Sequence, residues 1–277
     1  MILSDIEYRI KKKVEDIGVP LKQWDIQINY GIKTGYNEAF IITSDKRDFI
    51  LKNCKSQDER IRTEKIIRPI LRGRDIRRYG FDYKNLWLIN FHNGIASKNI
   101  EPLDINHYPS IKKHLDKYWD NIKDRDDQGI TPYNLRSCAY MEEFSKQKIV
   151  YQELSQGSSF YLDSENNFYV SNTGYIITGE NLLYLLGMLN SKLIEFAFRK
   201  FYSTSLGSLG LRWLSQYIMK LPIALPPKNI DSDKYINDVR KMISQKGLDS
   251  PIIKEIDCYV NQLYCLTDQE INFINNS

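Results

Sequence analysis

The sequence predicts an α+β (mixed) fold: a central, mostly antiparallel or mixed β-sheet flanked by helices, with a helical C-terminal portion. Three observations predict it. Segments with strand character lie in the middle of the chain, and segments with helical periodicity collect at both ends. The two kinds also do not alternate one for one, as a doubly wound parallel sheet requires. With 277 residues, 42% hydrophobic and 27% charged, the chain can bury a proper core and falls in the globular rather than the disordered class.

The elements follow in order. Residues 4–17 read as a helix: Ser4 caps it, Glu7 completes a capping box, and Ile6, Ile10, Val14 and Ile17 form one apolar stripe that Gly18 and Pro20 end. Ile26, Ile28 and Tyr30 alternate with polar neighbours as a strand does; residues 31–35 are then a turn and 39–42 a second strand. Ser44 opens a helix to about Cys54, and another runs from about Asp58 to Ile67, stopped by Pro69. LWLINF at 86–91 is an apolar run of strand length, and 108–123 reads as a helix with Ile111, Leu115, Tyr118 and Trp119 inward. From Lys148 the signal changes. KIVYQEL, SSFYLD, a turn at 164–167 and FYVSNTGYIIT predict a hairpin or meander. Asn181 begins a strong helix, residues 203–210 form a Ser/Gly loop, and YIMKLPIALPP ends in a Pro pair that marks a domain edge. Helices at about 232–247 and 250–265, and a short one opened by Thr267 with Glu270, close the chain.

Several function classes are disfavoured. No stretch approaches the roughly 18–20 apolar residues needed to span a bilayer. The N-terminal charges follow the apolar residues instead of preceding an apolar core, unlike a secretory signal. The expected location is cytoplasmic, with no membrane partner. Cys54, Cys138, Cys258 and Cys265 have no Cys-x-x-Cys spacing and no histidine cluster beside them. They read as free core thiols, with Cys258 and Cys265 on one helix face. The chain has no Gly-rich cofactor loop after a strand, no Walker loop and no Asn/Asp-Pro-Pro-aromatic loop. The Pro226–Pro227 pair stands between Leu225 and Lys228. No metal-nuclease carboxylate set is apparent either, and residues 163–165 read as a hairpin turn. His92, His107 and His114 lack triad partners and read as surface or locally hydrogen-bonded residues. No catalytic residue, metal site or cofactor is expected in this chain.

Binding chemistry is easier to find. Net charge is only +4, but the run from Arg60 to Arg78 carries Arg60, Arg62, Lys65, Arg68, Arg72, Arg74, Arg77 and Arg78 against Glu64 and Asp75 alone. Such a field attracts polyanions, and arginine is the better reader of phosphate and guanine. Around Gly73, Arg72 and Arg74, with Arg77 and Arg78 after them, make a basic loop. In the turn after the first strand, Lys33 and Thr34 can donate to phosphate, and Asn37 to phosphate or a base edge, with Tyr36 beside it. Arg136 is a further candidate contact, or else a partner of Asp126 or Asp127. Lys200, in a basic, aromatic and hydroxyl-rich stretch, and Arg212 beside Trp213 complete the set.

In order and spacing, a series of stretches resembles the TaqI-like C-terminal specificity (target-recognition) domain of type IIG restriction-modification enzymes and adenine-specific DNA methyltransferases. They are GIKTGYNEAFII, IIRPILRGRDIRRY, LWLINFHNG, YPSIKKHLDKYWDNIKDRDDQG, PYNLRSCAYMEEFSKQKIVYQEL, VSNTGYII with LLGMLNSKLIEFAFRKF, YIMKLPIALPP and the tail IDCYVNQLYCLTDQEINFI. The resemblance runs from about residue 24 to the end. It implies an N-terminal helix or linker at 1–23, a DNA target-recognition domain at 24–228 and a helical segment at 229–277. It also implies sequence-specific binding of double-stranded DNA. Catalysis would lie in absent upstream methyltransferase or nuclease domains, belonging to the same longer chain or to a partner subunit. S-adenosylmethionine and magnesium are expected only there. An alternative is an interaction subunit that docks a separate DNA methyltransferase through the helices at 4–17 and 232–265. An enzyme concealed in this chain is opposed by the missing motifs.

Overall fold

The computed structural model describes residues 3–165, 167–203, 210–227, 230–245 and 250–277. Two four-stranded sheets form its centre. The strands are β1 (Ile26–Tyr30), β2 (Ile41–Thr43), β3 (Ile67–Leu71), β4 (Leu86–Ile89), β5 (Lys148–Gln152), β6 (Phe160–Asp163), β7 (Tyr169–Val170) and β8 (Gly174–Gly179). The first sheet has the order β6-β5-β8-β1 with every pair antiparallel. The second has the order β7-β3-β4-β2, antiparallel except for the β7–β3 pair. The mixed, mostly antiparallel α+β architecture read from the sequence is therefore the one observed.

The apolar runs of β5, β6 and β8 have a physical reason. Side chains alternate across a strand, and in the first sheet both faces are covered. Ile149, Tyr151, Phe160, Leu162, Tyr175 and Ile177 point into one core cluster. Their neighbours Val150, Tyr161 and Ile176 point into a second. A strand buried on both sides shows no polar alternation.

Helices close the two cores. Around the first lie α1 (Asp5–Ile17), α5 (Leu182–Leu189), α6 (Lys192–Ala197), α7 (Ile230–Ser244), α8 (Ile252–Leu263) and α9 (Asp268–Asn275). Against the second lie α2 (Ser44–Lys52), α3 (Gln57–Ile66) and α4 (Pro109–Leu115). The predicted capping boxes are present at Ser4–Glu7 and Thr267–Glu270. The α1 stripe is also as expected, with Ile10 and Val14 fully buried and Ile6 and Ile17 packed beside them. Lys13 Nζ lies 2.7 Å from a Glu270 carboxylate oxygen and ties the first helix to the last. Among the described residues, no helix is long and apolar enough to cross a membrane.

Three expectations are corrected. The segment 39–42 is not one strand: Asn37–Phe40 makes a helical turn that buries Ala39 and Phe40, and β2 begins at Ile41. The helix expected over 108–123 is broken by a tighter turn at Asp116–Tyr118. That turn carries Trp119 outward to 40% exposure, against the Tyr133 ring, instead of into the core. The cysteines are free, but not core: Cys54 and Cys138 are half-buried, and Cys258 and Cys265 are exposed. Cys265 falls beyond the end of α8 with a positive φ, so the two do not share a helix face. Residues 204–209 of the expected Ser/Gly loop, Asn166 of the expected turn, and 246–247 of the expected helix lie outside the described residues.

Candidate nucleic-acid interface

The two sheets meet where β7 turns into β8. Val170 still belongs to the second sheet and Gly174 to the first, so residues 171–173 make the crossing. The end of β1 crosses beside them. Gly31 N–H donates to the Gly174 carbonyl at 2.8 Å, Ile32 N–H to Val170 at 2.7 Å, and Asn172 N–H to the Ile32 carbonyl at 2.9 Å. Only glycine fits at 31, because a Cβ there would lie 2.3 Å from the Ser171 carbonyl oxygen.

Thr173 holds the crossing in a strained shape. Its φ is 82°, a region that a β-branched residue enters only when its surroundings over-determine it, at about 1–3 kcal/mol. Here its carbonyl accepts from Glu153 N–H at 2.8 Å, and Gly174 N–H closes the turn onto the Ser171 carbonyl at 2.9 Å. The result leaves the Asn172 side chain exposed at the rim of a cleft, and no hydrogen bond to its carboxamide is found among the described residues.

That cleft encloses about 570 Å3 and is walled by segments far apart in sequence. Gly31–Lys33 form one wall, Arg136–Tyr140 another, and Glu153 and Asn172 lie between them. Arg212, on the short strand Leu211–Arg212 that pairs with Leu154–Ser155, stands outside this lining and meets it through Glu153, to which its Nε donates at 2.8 Å. Arg136 donates to Asp127 at 3.1 Å. The Arg136 and Arg212 side chains are 59% and 49% exposed. Pairs this exposed are weakly held and readily exchange their carboxylate for a phosphate or a base edge. Cys138 also lines the cleft, but burial pushes its thiol up to about 11, so it stays protonated and inert at neutral pH.

The remaining sequence candidates are placed around this centre or away from it. Gly73 packs against Thr173, and Arg74 next to it is exposed with no side-chain partner found among the described residues. Arg72 is held bidentate by the buried Asp75, at 2.9 and 2.8 Å, and latches its own loop. Arg77 folds back onto the Arg74 and Ile76 carbonyls at 2.5 and 3.0 Å and lies 3.9 Å from Asp82. Arg78 donates to the Asn190 carbonyl behind α5, on the core side. Thr34 is buried, with its hydroxyl donating to Asn37 at 2.6 Å, while Tyr36 bonds the Glu38 carboxylate. Lys200 pairs with Glu7 of α1 at 3.3 Å. Lys33 and Arg136 thus line the cleft, Arg212 touches it through Glu153, Arg74 follows the glycine that packs on Thr173, and Arg78 and Lys200 brace helices. Glu153 and Asn172 join the site without having been singled out from the sequence. The signals available were a carboxylate at the end of an apolar strand and an Asn-Thr-Gly turn between two strands.

A model of the TaqI-like C-terminal specificity domain matches residues 68–223, more than half of the chain. The chain belongs to this family. The matched span contains residues 171–173 of the crossing, Arg136, Glu153 and Asn172 of the cleft, and Arg212. Among solved structures, this specificity domain is similar to the type IIL restriction-modification enzyme MmeI in complex with DNA. The TM-score is 0.59 at 15% identity, over 93% of this chain and 35% of that one. It is also similar to the type IIG restriction endonuclease BpuSI, with a TM-score of 0.53 at 16% identity over 94% of this chain and 32% of that one. At these identities the likeness concerns the fold. The chain spans about a third of the length of either enzyme.

Proposed function

We propose that this specificity domain reads duplex DNA through the cleft where its two sheets meet. The observation that carries the reading is that Lys33 and Arg136, from two distant segments, line one cleft, while Arg212, from a third, donates to Glu153 in its lining. Lys33, Arg74 and Arg136 supply phosphate contacts that set position. Glu153, Arg212 and Asn172 supply the base-reading chemistry. A carboxylate accepts from the amino group of cytosine, a guanidinium donates to guanine, and a carboxamide pairs with adenine. Arg212 and Glu153, paired at 2.8 Å, would have to exchange that bond for base edges, and a base that offers neither group a partner returns nothing for the pair given up. MmeI, solved in complex with DNA, supports the assignment of the ligand class.

Catalysis then belongs to methyltransferase or nuclease domains outside this chain, in the same polypeptide or a partner subunit. S-adenosylmethionine and magnesium would be bound there, and the setting is cytoplasmic. The docking alternative receives less support, since the apolar faces of α1, α7 and α8 are covered within the chain: Val14, Val239 and Val260 are fully buried.

The test is duplex affinity measured between about 50 and 200 mM salt. Lys33→Ala and Arg136→Ala should each lower the slope of log affinity against log salt by about 1. Slopes identical to the unsubstituted chain would remove this cleft from the DNA contact.

A further inference from the structure

Arg125 differs from every arginine discussed above. It is 6% exposed, and among the described residues its guanidinium makes no ion pair with a carboxylate. Its hydrogen bonds run to main-chain carbonyls: from Nε to Thr34 at 2.9 Å, from Nη1 to Ile122 at 3.1 Å and to Pro132, and from Nη2 to Asn134 at 2.6 Å. The guanidinium lies over the Phe40 ring, 4.6 Å from its centre. Its stem fills the space above Gly35, where a Cβ would come within 2.9 Å of Arg125 Cδ. Burial pushes its pKa down to about 10, with Asp127 opposing from longer range, so the group is still a cation at neutral pH.

A buried cation without an adjacent counter-ion is unfavourable, and helix and sheet packing do not need one. The carbonyl dipoles offset the burial, and in doing so they are drawn together. Thr34 and Arg125 are 91 residues apart. Thr34 follows Lys33 on one wall of the cleft, and Asn134 precedes Arg136 on the other by two residues. One planar group therefore fixes the separation of the two cationic walls.

We propose that Arg125 is a positioning residue for DNA discrimination, clamping the Lys33 wall to the Arg136 wall through their main-chain carbonyls. The inference rests on the reading of the cleft given under Proposed function. Lysine cannot replace the clamp, because a single ammonium has no fork of donors to span carbonyls from both walls.

The experiment compares the 277-residue chain with Arg125→Lys and with Leu115→Ala, a core truncation in the cluster that holds Phe40, the ring under Arg125, at a residue that makes none of the clamp's hydrogen bonds. Each is assayed at a temperature where near-ultraviolet circular dichroism shows it folded. The readout is the ratio of affinities for the duplex selected by the unsubstituted chain and for a scrambled duplex. Arg125→Lys should lower that ratio about tenfold or more, the scale of one misread base pair, with bulk duplex binding and its salt slope retained. Leu115→Ala should lose stability and keep the ratio. An unchanged ratio in Arg125→Lys, or an equal loss in Leu115→Ala, would overturn the positioning role while leaving the cleft reading intact. A ratio of one for the unsubstituted chain would overturn both.

Discussion

Lys148 and Asp163 face each other across β5 and β6 with no exposed side-chain surface and 2.7 Å between Nζ and Oδ2. Asp163 Oδ2 also accepts from the buried Phe168 N–H at 2.7 Å. Asp163→Ala removes the oxygen that serves both donors and, among the described residues, leaves the ammonium a long 3.4 Å contact with the Lys146 carbonyl. Breaking one side of a buried pair costs about 3–5 kcal/mol. In a chain of this size that corresponds to a fall in melting temperature on the order of 10 °C. The assay is urea unfolding followed by circular dichroism, in which the midpoint should fall with an unchanged slope. The double variant Lys148→Met with Asp163→Asn keeps an acceptor for Phe168 and removes both charges, so it should be more stable than Asp163→Ala. A loss below about 1 kcal/mol in Asp163→Ala, the size expected of an exposed pair, would refute the argument.

Two further predictions concern stability. Glu59 is 2% exposed and accepts from Lys55 N–H at 2.7 Å and Ser110 N–H at 2.8 Å. Burial works to raise its pKa, but these backbone bonds outweigh it and hold the carboxyl below its ordinary value. A depressed carboxyl pKa contributes stability above the unfolded value near about 4.3 that is lost as pH falls through the folded value. Glu59→Gln should therefore cost about 1–3 kcal/mol at neutral pH, and the deficit should shrink on acidification when the two unfolding curves are compared. A deficit constant down to the acid limb would contradict the assignment. Gly31→Ala would place a methyl 2.3 Å from a backbone oxygen that cannot yield. It should cost about 1–3 kcal/mol or more, read as a lower urea midpoint, and a wild-type midpoint would show that the strand crossing is looser than described.

Much of the fold was legible because it depends on local pattern. The Ser4 and Thr267 caps, the α1 stripe and the apolar runs of β5, β6 and β8 each follow from nearest neighbours in sequence. Trp119 was misplaced because a helical period cannot show where a turn tightens. The site was only half legible for the same reason. Basic charge and loop chemistry marked Lys33, Arg74, Arg136 and Arg212, but charge does not say what a side chain meets. Arg78 and Lys200 carry the same charge, yet they meet the Asn190 carbonyl and Glu7. Glu153 and Asn172 acquire their place in the candidate cleft only through the chain's crossing, which brings together Lys33, 120 positions from Glu153, and Arg136, 17 positions from it, and that is tertiary information. Arg125 was hidden altogether, since its partners are main-chain carbonyls that every residue possesses.

The most direct test of the account is selection from a randomised duplex pool. The chain is used to capture DNA at two salt concentrations, and the retained sequences are read. A short enriched motif that survives the higher salt, and that changes at single positions in Glu153→Gln and Asn172→Ala, is the predicted result. Retention without enrichment, vanishing as salt rises, would contradict the central claim and leave the cleft as an unspecific basic surface.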